Sequence, residues 1–273
     1  MPAIHGRVSK ANFQHVINRV DKRLAGWKTK CLSLAGRMTL IQATVTAIPA
    51  YTMQSVKLPR SVCDELDRKL QRFLWGGSSM QRKPHLVAWN AITKEKSQGG
   101  LGIRCMRDLN SAYLMKLGWR FLSEPTALWA RILKEKYCRG RDVTIRMDRK
   151  ASCSNAWRGI MDMKEISSWG AGVAVGDGRH TKFWLHRWVG GKVLQEHAMT
   201  PIPDDQLHRL VCEFWDPGRG WRWAEFEPLL PPDIVQQIAS YELTTDDVGD
   251  RAVWVADKSG KFTIKSAVSL LRA

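Results

Sequence analysis

Apolar residues recur at helical spacing in three successive stretches of the first third of the chain. Phe13, Val16, Ile17, Val20 and Leu24 fall on one helical face, with Ser9 as a cap and Gly26 as a stop. Leu34, Met38, Ile41 and Val45 stripe a second helix that Ser33 can open, and Pro49 is expected to end it near Ile48. Pro59 suits the first turn of a third helix, striped by Val62, Leu66, Leu70, Phe73 and Leu74 and closing at Trp75 ahead of Gly76-Gly77. Three amphipathic helices with short breaks bury their stripes most simply as a bundle.

Further along, the pattern loosens. A short apolar run from His85 to Trp89 leads to Gly99-Gly100-Leu101-Gly102, and Leu109 to Leu122 reads as a long helix. Thr126 to Tyr137 reads as another helix, with Leu128, Trp129, Ile132 and Leu133 expected inward. Residues 141–152 are polar and expected to form a loop, and a short helix over Asn155 to Met163 centres on Trp157. Two β-prone runs flank Gly176-Asp177-Gly178, which predicts a hairpin because those residues tolerate positive φ. A loop-rich stretch with Trp215, Trp221 and Trp223 precedes a helix near Asp233 to Tyr241, and a second hairpin is expected from Arg251 to Ile264. The fold class is therefore α+β and mainly α. Its expected divisions are a three-helix bundle over 1–78, a helical connector over 79–140, a Trp-rich region with hairpins over 153–260 and a separate element over 261–273.

Charge sharpens that division. Residues 1–150 hold 29 Lys and Arg against 10 Asp and Glu, a net of +19, while residues 151–273 hold 14 against 16, a net of -2. A one-sided excess of this size is the footprint of a phosphate-backbone binder, since each neutralised phosphate releases counterions. The candidate contacts are Lys10, Arg19, Lys22, Arg23, Lys28, Lys30 and Arg37, on or next to the first two helices. Flexible cations at those positions can reach phosphates without reading bases, so the expected partner is a nucleic acid bound without sequence preference. Trp27 between the helices is expected to plug the core. No apolar run spans a membrane, and six scattered cysteines without a C-x-x-C pair favour reduced thiols inside the cell, nuclear or cytoplasmic, with no metal and no cofactor.

A series of motifs carries a resemblance. Arg72-Phe73-Leu74-Trp75-Gly76, Lys83-Pro84-His85-Leu86-Val87-Ala88-Trp89, Gly99 to Arg104, Asn110 with Ala112, and Trp119-Arg120 follow one another in register. Upstream lie Gly26-Trp27-Lys28, Leu32 to Arg37 and Ile48-Pro49-Ala50-Tyr51; downstream lie Gly176-Asp177-Gly178, Phe183-Trp184 and Trp188. Together they resemble the region just downstream of the palm in plant-type LINE (non-LTR) retrotransposon reverse transcriptases. One departure is Glu95-Lys96, where that pattern has Pro-Lys before the glycines. The resemblance implies a helical thumb that grips a template-primer duplex. It also implies that Ser259 to Ala267 opens a zinc-binding module whose Cys and His ligands this chain does not contain.

In that family the catalytic aspartates lie upstream of the region matched, so the chain is expected to hold no polymerase active site. Nucleotidyl transfer needs paired carboxylates for two metal ions. Asp204-Asp205 and Asp246-Asp247 lack the aromatic neighbour and flanking strands of such a pair and read as turn or cap residues. Gly99 to Gly102 lacks the Lys-Ser/Thr of a phosphate loop and reads as a packing turn. His180 and His186 beside Asp177 read as part of a small aromatic core with Phe183, Trp184 and Trp188. Two function classes result: a catalytically empty remnant of such a reverse transcriptase that binds RNA or an RNA–DNA hybrid without sequence preference, or a structural or protein-interaction module or decayed-element product without selected function.

Overall fold

The computed structural model describes residues 8–27, 32–76, 84–138, 153–243 and 248–272. The fold is α+β and mainly helical. After a 3-10 turn at Lys10–Phe13 come α1 (Gln14–Ala25), α2 (Leu34–Leu40), α3 (Ala47–Met53) and α4 (Arg60–Leu74). The apolar stripes of α1 and α4 meet in one core with Ile41, Val45 and Met53. Ser33 caps α2 through its hydroxyl, which accepts from the Gly36 amide at 3.1 Å.

Two details of this half depart from the periodic reading. Pro49 does not stop the second helix. A wide π-type turn at Ile41–Val45 joins α2 to α3, and the Thr46 amide reaches back to the Ile41 carbonyl. That turn shifts the backbone register just ahead of the proline, so Pro49 sits buried inside α3. Leu34, expected on the buried stripe, is exposed at the first turn of α2.

The helix of the connecting stretch turns out to be the spine of the molecule. A short α5 (Trp89–Ile92) and the glycine turn lead into α6 (Met106–Ser123). Residues from around its circumference are buried, because α3, α4, α8, α9, β6 and α12 all pack on it. Ile92, Ile103, Met106 and Leu109 complete the core of the N-terminal helices, so that core runs on past residue 78. Asn110 fixes the join. Its Oδ1 accepts from the Leu58 amide at 2.8 Å, and its Nδ2 donates to the carbonyls of Met53 (3.1 Å) and Val56 (3.0 Å). A buried amide that satisfies three backbone groups ties the α3–α4 loop to α6.

Beyond α6, α7 (Leu128–Leu133) continues into a second π-type turn at Lys134–Cys138. Trp129 and Leu133 of the expected stripe pack against the core. Leu128 and Ile132 are exposed, contrary to the stripe expected, whereas Ala130 and Tyr137 are buried, with Tyr137 stacked on Trp157 at 4.7 Å. The loop expected at 141–152 lies outside the described residues. Next come α8 (Asn155–Asp162), α9 (Lys164–Gly170) and β1 (Ala171–Ala174). The rest is β2 (Arg187–Val189), β3 (Lys192–Val193), α10 (Asp204–Leu207), β4 (Trp215–Asp216), β5 (Gly220–Trp221), α11 (Pro232–Ala239), β6 (Arg251–Trp254) and α12 (Ile264–Arg272).

Neither long hairpin expected from the sequence forms. β1 pairs antiparallel with β6, from Ala171 opposite Trp254 to Ala174 opposite Arg251. The two short hairpins that do form are β2–β3 and β4–β5. Downstream of Trp254 the chain makes a tight turn and enters α12, which packs along α6 and sends Arg272 to Asp108 at 2.6 Å. Residues 261–272 therefore close onto the spine helix.

Candidate nucleic-acid interface

The seven basic residues singled out from the sequence separate into three groups. Arg19, Lys22 and Arg23 stand exposed on the outer face of α1. Among the described residues Arg19 and Lys22 have no ion-pair partner, and Arg23 lies over the Trp27 ring at 5.4 Å. Trp27 is half-buried and packs on Phe73 at 5.3 Å, in the core position expected of it. Lys28 and Lys30 lie outside the described residues.

The other two are occupied within the fold. Lys10 pairs with Glu65 at 2.6 Å, and its hydrogen bond holds the Glu65 carboxyl below the usual range. Arg37 donates to the Leu74 carbonyl at 3.1 Å, and its guanidinium lies against Gly76, where a Cβ would come within 2.6 Å of Nη1. It closes the C-terminal end of α4, where exposed carbonyls favour a cation. No local pattern signals that role, because 37 residues separate the partners.

The pairs Lys10–Glu65, Asp21–Lys69 and Trp27–Phe73 advance together along both helices, so α1 and α4 run side by side in the same sense. Among the described residues the candidate face thus reduces to the outer side of α1, with the exposed Arg72 near the end of α4. These groups are mobile cations on a rigid support, suited to phosphates and to nothing that requires a shaped pocket.

The glycine turn does not cradle a phosphate. The amides of Gly99, Gly100, Leu101 and Gly102 donate to the carbonyls of Lys96, Glu95, Ile92 and Lys94, which leaves none for an anion. Gly100 is required because a Cβ there would lie 2.1 Å from the Lys94 carbonyl oxygen. Asp204 and Asp205 occupy the first turn of α10, where carboxylates favour exposed amides. Asp246-Asp247 lies outside the described residues.

Asp177, His180 and Asp250 bring potential ligand atoms within 4.8 Å of one another. Asp250 is already fully used. One oxygen accepts from the Gly176 (2.8 Å) and Gly178 (3.0 Å) amides, the other from the His180 amide (3.0 Å) and the Thr181 hydroxyl (2.7 Å). Burial raises the Asp250 pKa, yet the four donors outweigh it and leave it below the ordinary carboxylate value. This explains Gly176-Asp177-Gly178 without a hairpin. The loop wraps a carboxylate, Gly176 has no room for a Cβ beside the Val248 carbonyl, and Gly178 takes a left-handed φ of +69°. The sequence reading missed Asp250, which lies more than 70 positions from the loop it holds.

The arrangement defines a mainly helical α+β protein with a cationic outer helix and an aromatic C-terminal core. The chain belongs to the family of the uncharacterized mitochondrial protein AtMg00310 of Arabidopsis thaliana, with 34% identity over 158 residues, 97% of that protein and 58% of this chain. It is also 35% identical over 277 residues to the putative ribonuclease H protein At1g65750 of the same plant. That match covers 99% of this chain and 44% of the relative, so the chain spans less than half of that protein's length. No family model matches the chain.

Proposed function

We propose that this chain is a retroelement-derived nucleic-acid-binding segment, related to the region after the palm of LINE reverse transcriptases and catalytically empty. It holds RNA or an RNA–DNA duplex inside the cell without sequence preference, through the outer face of α1. The observation that carries the reading is the charge of residues 1–150 together with the exposed Arg19 and Lys22, which have no ion-pair partner among the described residues. The motif series in register from Gly26 to Trp188 supports the retroelement origin. A relative named as a putative ribonuclease H protein supports the partner class.

The test is a gel-shift titration of the full chain against an RNA–DNA duplex over several salt concentrations. Replacing Arg19, Lys22 and Arg23 together by Gln removes about three phosphate contacts and should lower the log-log salt slope by up to about 3 units. A control changes the exposed Lys164, Arg179 and Arg219 to Gln and should leave the slope nearly unchanged. Equal losses in the two variants would show that diffuse charge accounts for binding.

A further inference from the structure

A groove at the far end of α6 brings together cations that the sequence scatters. Lys116 and Arg120 come from α6, Arg251 from the start of β6, and Lys261 from the turn that follows. Trp119 and Phe262 form its aromatic wall, stacked at 6.5 Å and 21°, and the space measures about 770 Å³. That is within the range of pockets that hold small organic ligands, about 300–1,000 Å³. Glu124 also lines it but is bound bidentately by Arg120. Four cations against one carboxylate leave a local charge of +3 in a groove built largely by the acidic half.

Three of the four cations, Lys116, Arg251 and Lys261, are exposed and have no ion-pair partner among the described residues. Their backbone supports are nevertheless fixed. Asp257 accepts from the Ser259 amide (3.0 Å) and hydroxyl (2.7 Å), the Gly260 amide returns to the Asp257 carbonyl, and the Trp254 amide donates to the Gly260 carbonyl at 2.8 Å. Gly260 takes φ +68° at the corner. Behind the wall, buried Trp254 packs on Phe262 at 4.6 Å and edge-on to Trp119 at 5.5 Å, while its indole N–H donates to the Ser266 hydroxyl. The aromatic wall is thus locked from below and half-open above. This differs from the face of α1, where the half-buried Trp27 is packed on Phe73 and covered by Arg23.

We propose that this groove is a second site, for a segment of single-stranded nucleic acid. Its phosphates meet Lys116, Arg251 and Lys261, and a base lies against Phe262. Unpaired bases present a π face to an aromatic side chain, which a duplex does not. The proposal is independent of the reading of α1, because none of its residues belongs to that face.

The experiment measures fluorescence anisotropy of a labelled single-stranded 12-mer oligouridylate and of an RNA–DNA duplex of the same length, with the full chain. The variant K116Q/R251Q/K261Q should lose at least about tenfold in affinity for the single strand and about 2 units of its salt slope, at roughly 0.7 per phosphate. Duplex binding should change less than threefold. Equal loss on both probes, or none on the single strand, overturns the proposal. Phe262→Leu keeps an apolar contact to Trp254 and should weaken the oligouridylate about fivefold or more, within the range of a lost base stack. It should leave binding of base-free inorganic polyphosphate unchanged. Unaltered oligouridylate binding by a variant with wild-type circular dichroism, or equal weakening of polyphosphate, overturns the site as one that recognises a base.

Discussion

Two half-buried aspartates, one in each half of the molecule, are treated oppositely by their surroundings. Asp67 on α4 sits among the aliphatic helices, and burial pushes its carboxyl up to about 7, against the Met106 amide that donates to it at 3.1 Å. Asp250 sits beside the aromatic core. Burial acts on it in the same direction, but the Thr181 hydroxyl and three backbone amides hold it below the ordinary value. The first core is built by helices whose amides are already used internally, so few donors are left over for a stray carboxylate. The second is built from loops, whose free amides must find acceptors, and a carboxylate is the acceptor that organises them. Burial alone therefore does not set a carboxyl's charge; the supply of spare donors does.

Removing the organising acceptor should have the largest effect. Asp250→Ala leaves the Gly176, Gly178 and His180 amides and the Thr181 hydroxyl without their partner, and at about 1 kcal/mol each the loss is about 4 kcal/mol. The tryptophan near-ultraviolet circular dichroism of the C-terminal half should collapse at lower urea than the far-ultraviolet helix signal. A variant whose two signals still melt together at the wild-type midpoint would remove Asp250 from this role.

How much of this was legible in sequence follows the same divide. Stripes such as Val62, Leu66 and Leu70 repeat at the helical period, so α1 and α4 are read directly, and Asn110 and the glycines are at least visible as motifs. The π-type turns at Ile41–Val45 and Lys134–Cys138 were not legible, because inserting a residue into a helix shifts the stripe without a residue type that marks it. The aromatic core was legible as composition only. Phe183 touches Trp184, Trp188, Phe214, Trp221 and Phe226, contacts set by loops whose path depends on partners such as Asp250 far along the chain. Of the candidate interface, the exposed cations of α1 were legible from the opposite face of its stripe. The groove at the end of α6 was not, since Lys116 and Lys261 meet only through the packing of β6 and α12 on α6.

The pH dependence sharpens the comparison at a smaller scale. Asp67 binds a proton in the folded state over the interval from 3.8, its ordinary value, to about 7. The stability it contributes is full below that interval and is lost as pH rises through it, at up to about 1.4 kcal/mol per pH unit. Asp250 has the opposite sign: its contribution is present above the ordinary carboxylate value and is lost as pH falls through its lowered one. Asp67→Asn should flatten the fall between pH 4 and 7. The neutral amide avoids an ionisation penalty of about 4 kcal/mol but carries a desolvation cost of roughly 2, so it should gain about 2 kcal/mol at pH 8. Urea melts at pH 4, 6 and 8 measure it, and parallel curves for the variant and the parent would show that Asp67 does not titrate in this range.

The smallest effect separates the cations proposed to bind from those that build. Arg37 lies within the same basic stretch as Lys22 and Arg23, and by charge alone the three are equivalent. Only Arg37 is turned into the fold, where it donates to the Leu74 carbonyl and covers Gly76 at the end of α4. Replacing a charged donor at a helix C-terminus should remove about 1 kcal/mol through the lost hydrogen bond and the helix dipole. Arg37→Gln is therefore expected to lower the thermal midpoint by a few degrees, consistent with a protein of this size. It should leave the salt slope for the RNA–DNA duplex unchanged, because no phosphate contact is lost. The triple change at Arg19, Lys22 and Arg23 should do the reverse, lowering the slope without moving the midpoint. If Arg37→Gln lowers the slope by about one unit and leaves the midpoint where it was, Arg37 belongs with the binding face and the division drawn between these cations is wrong.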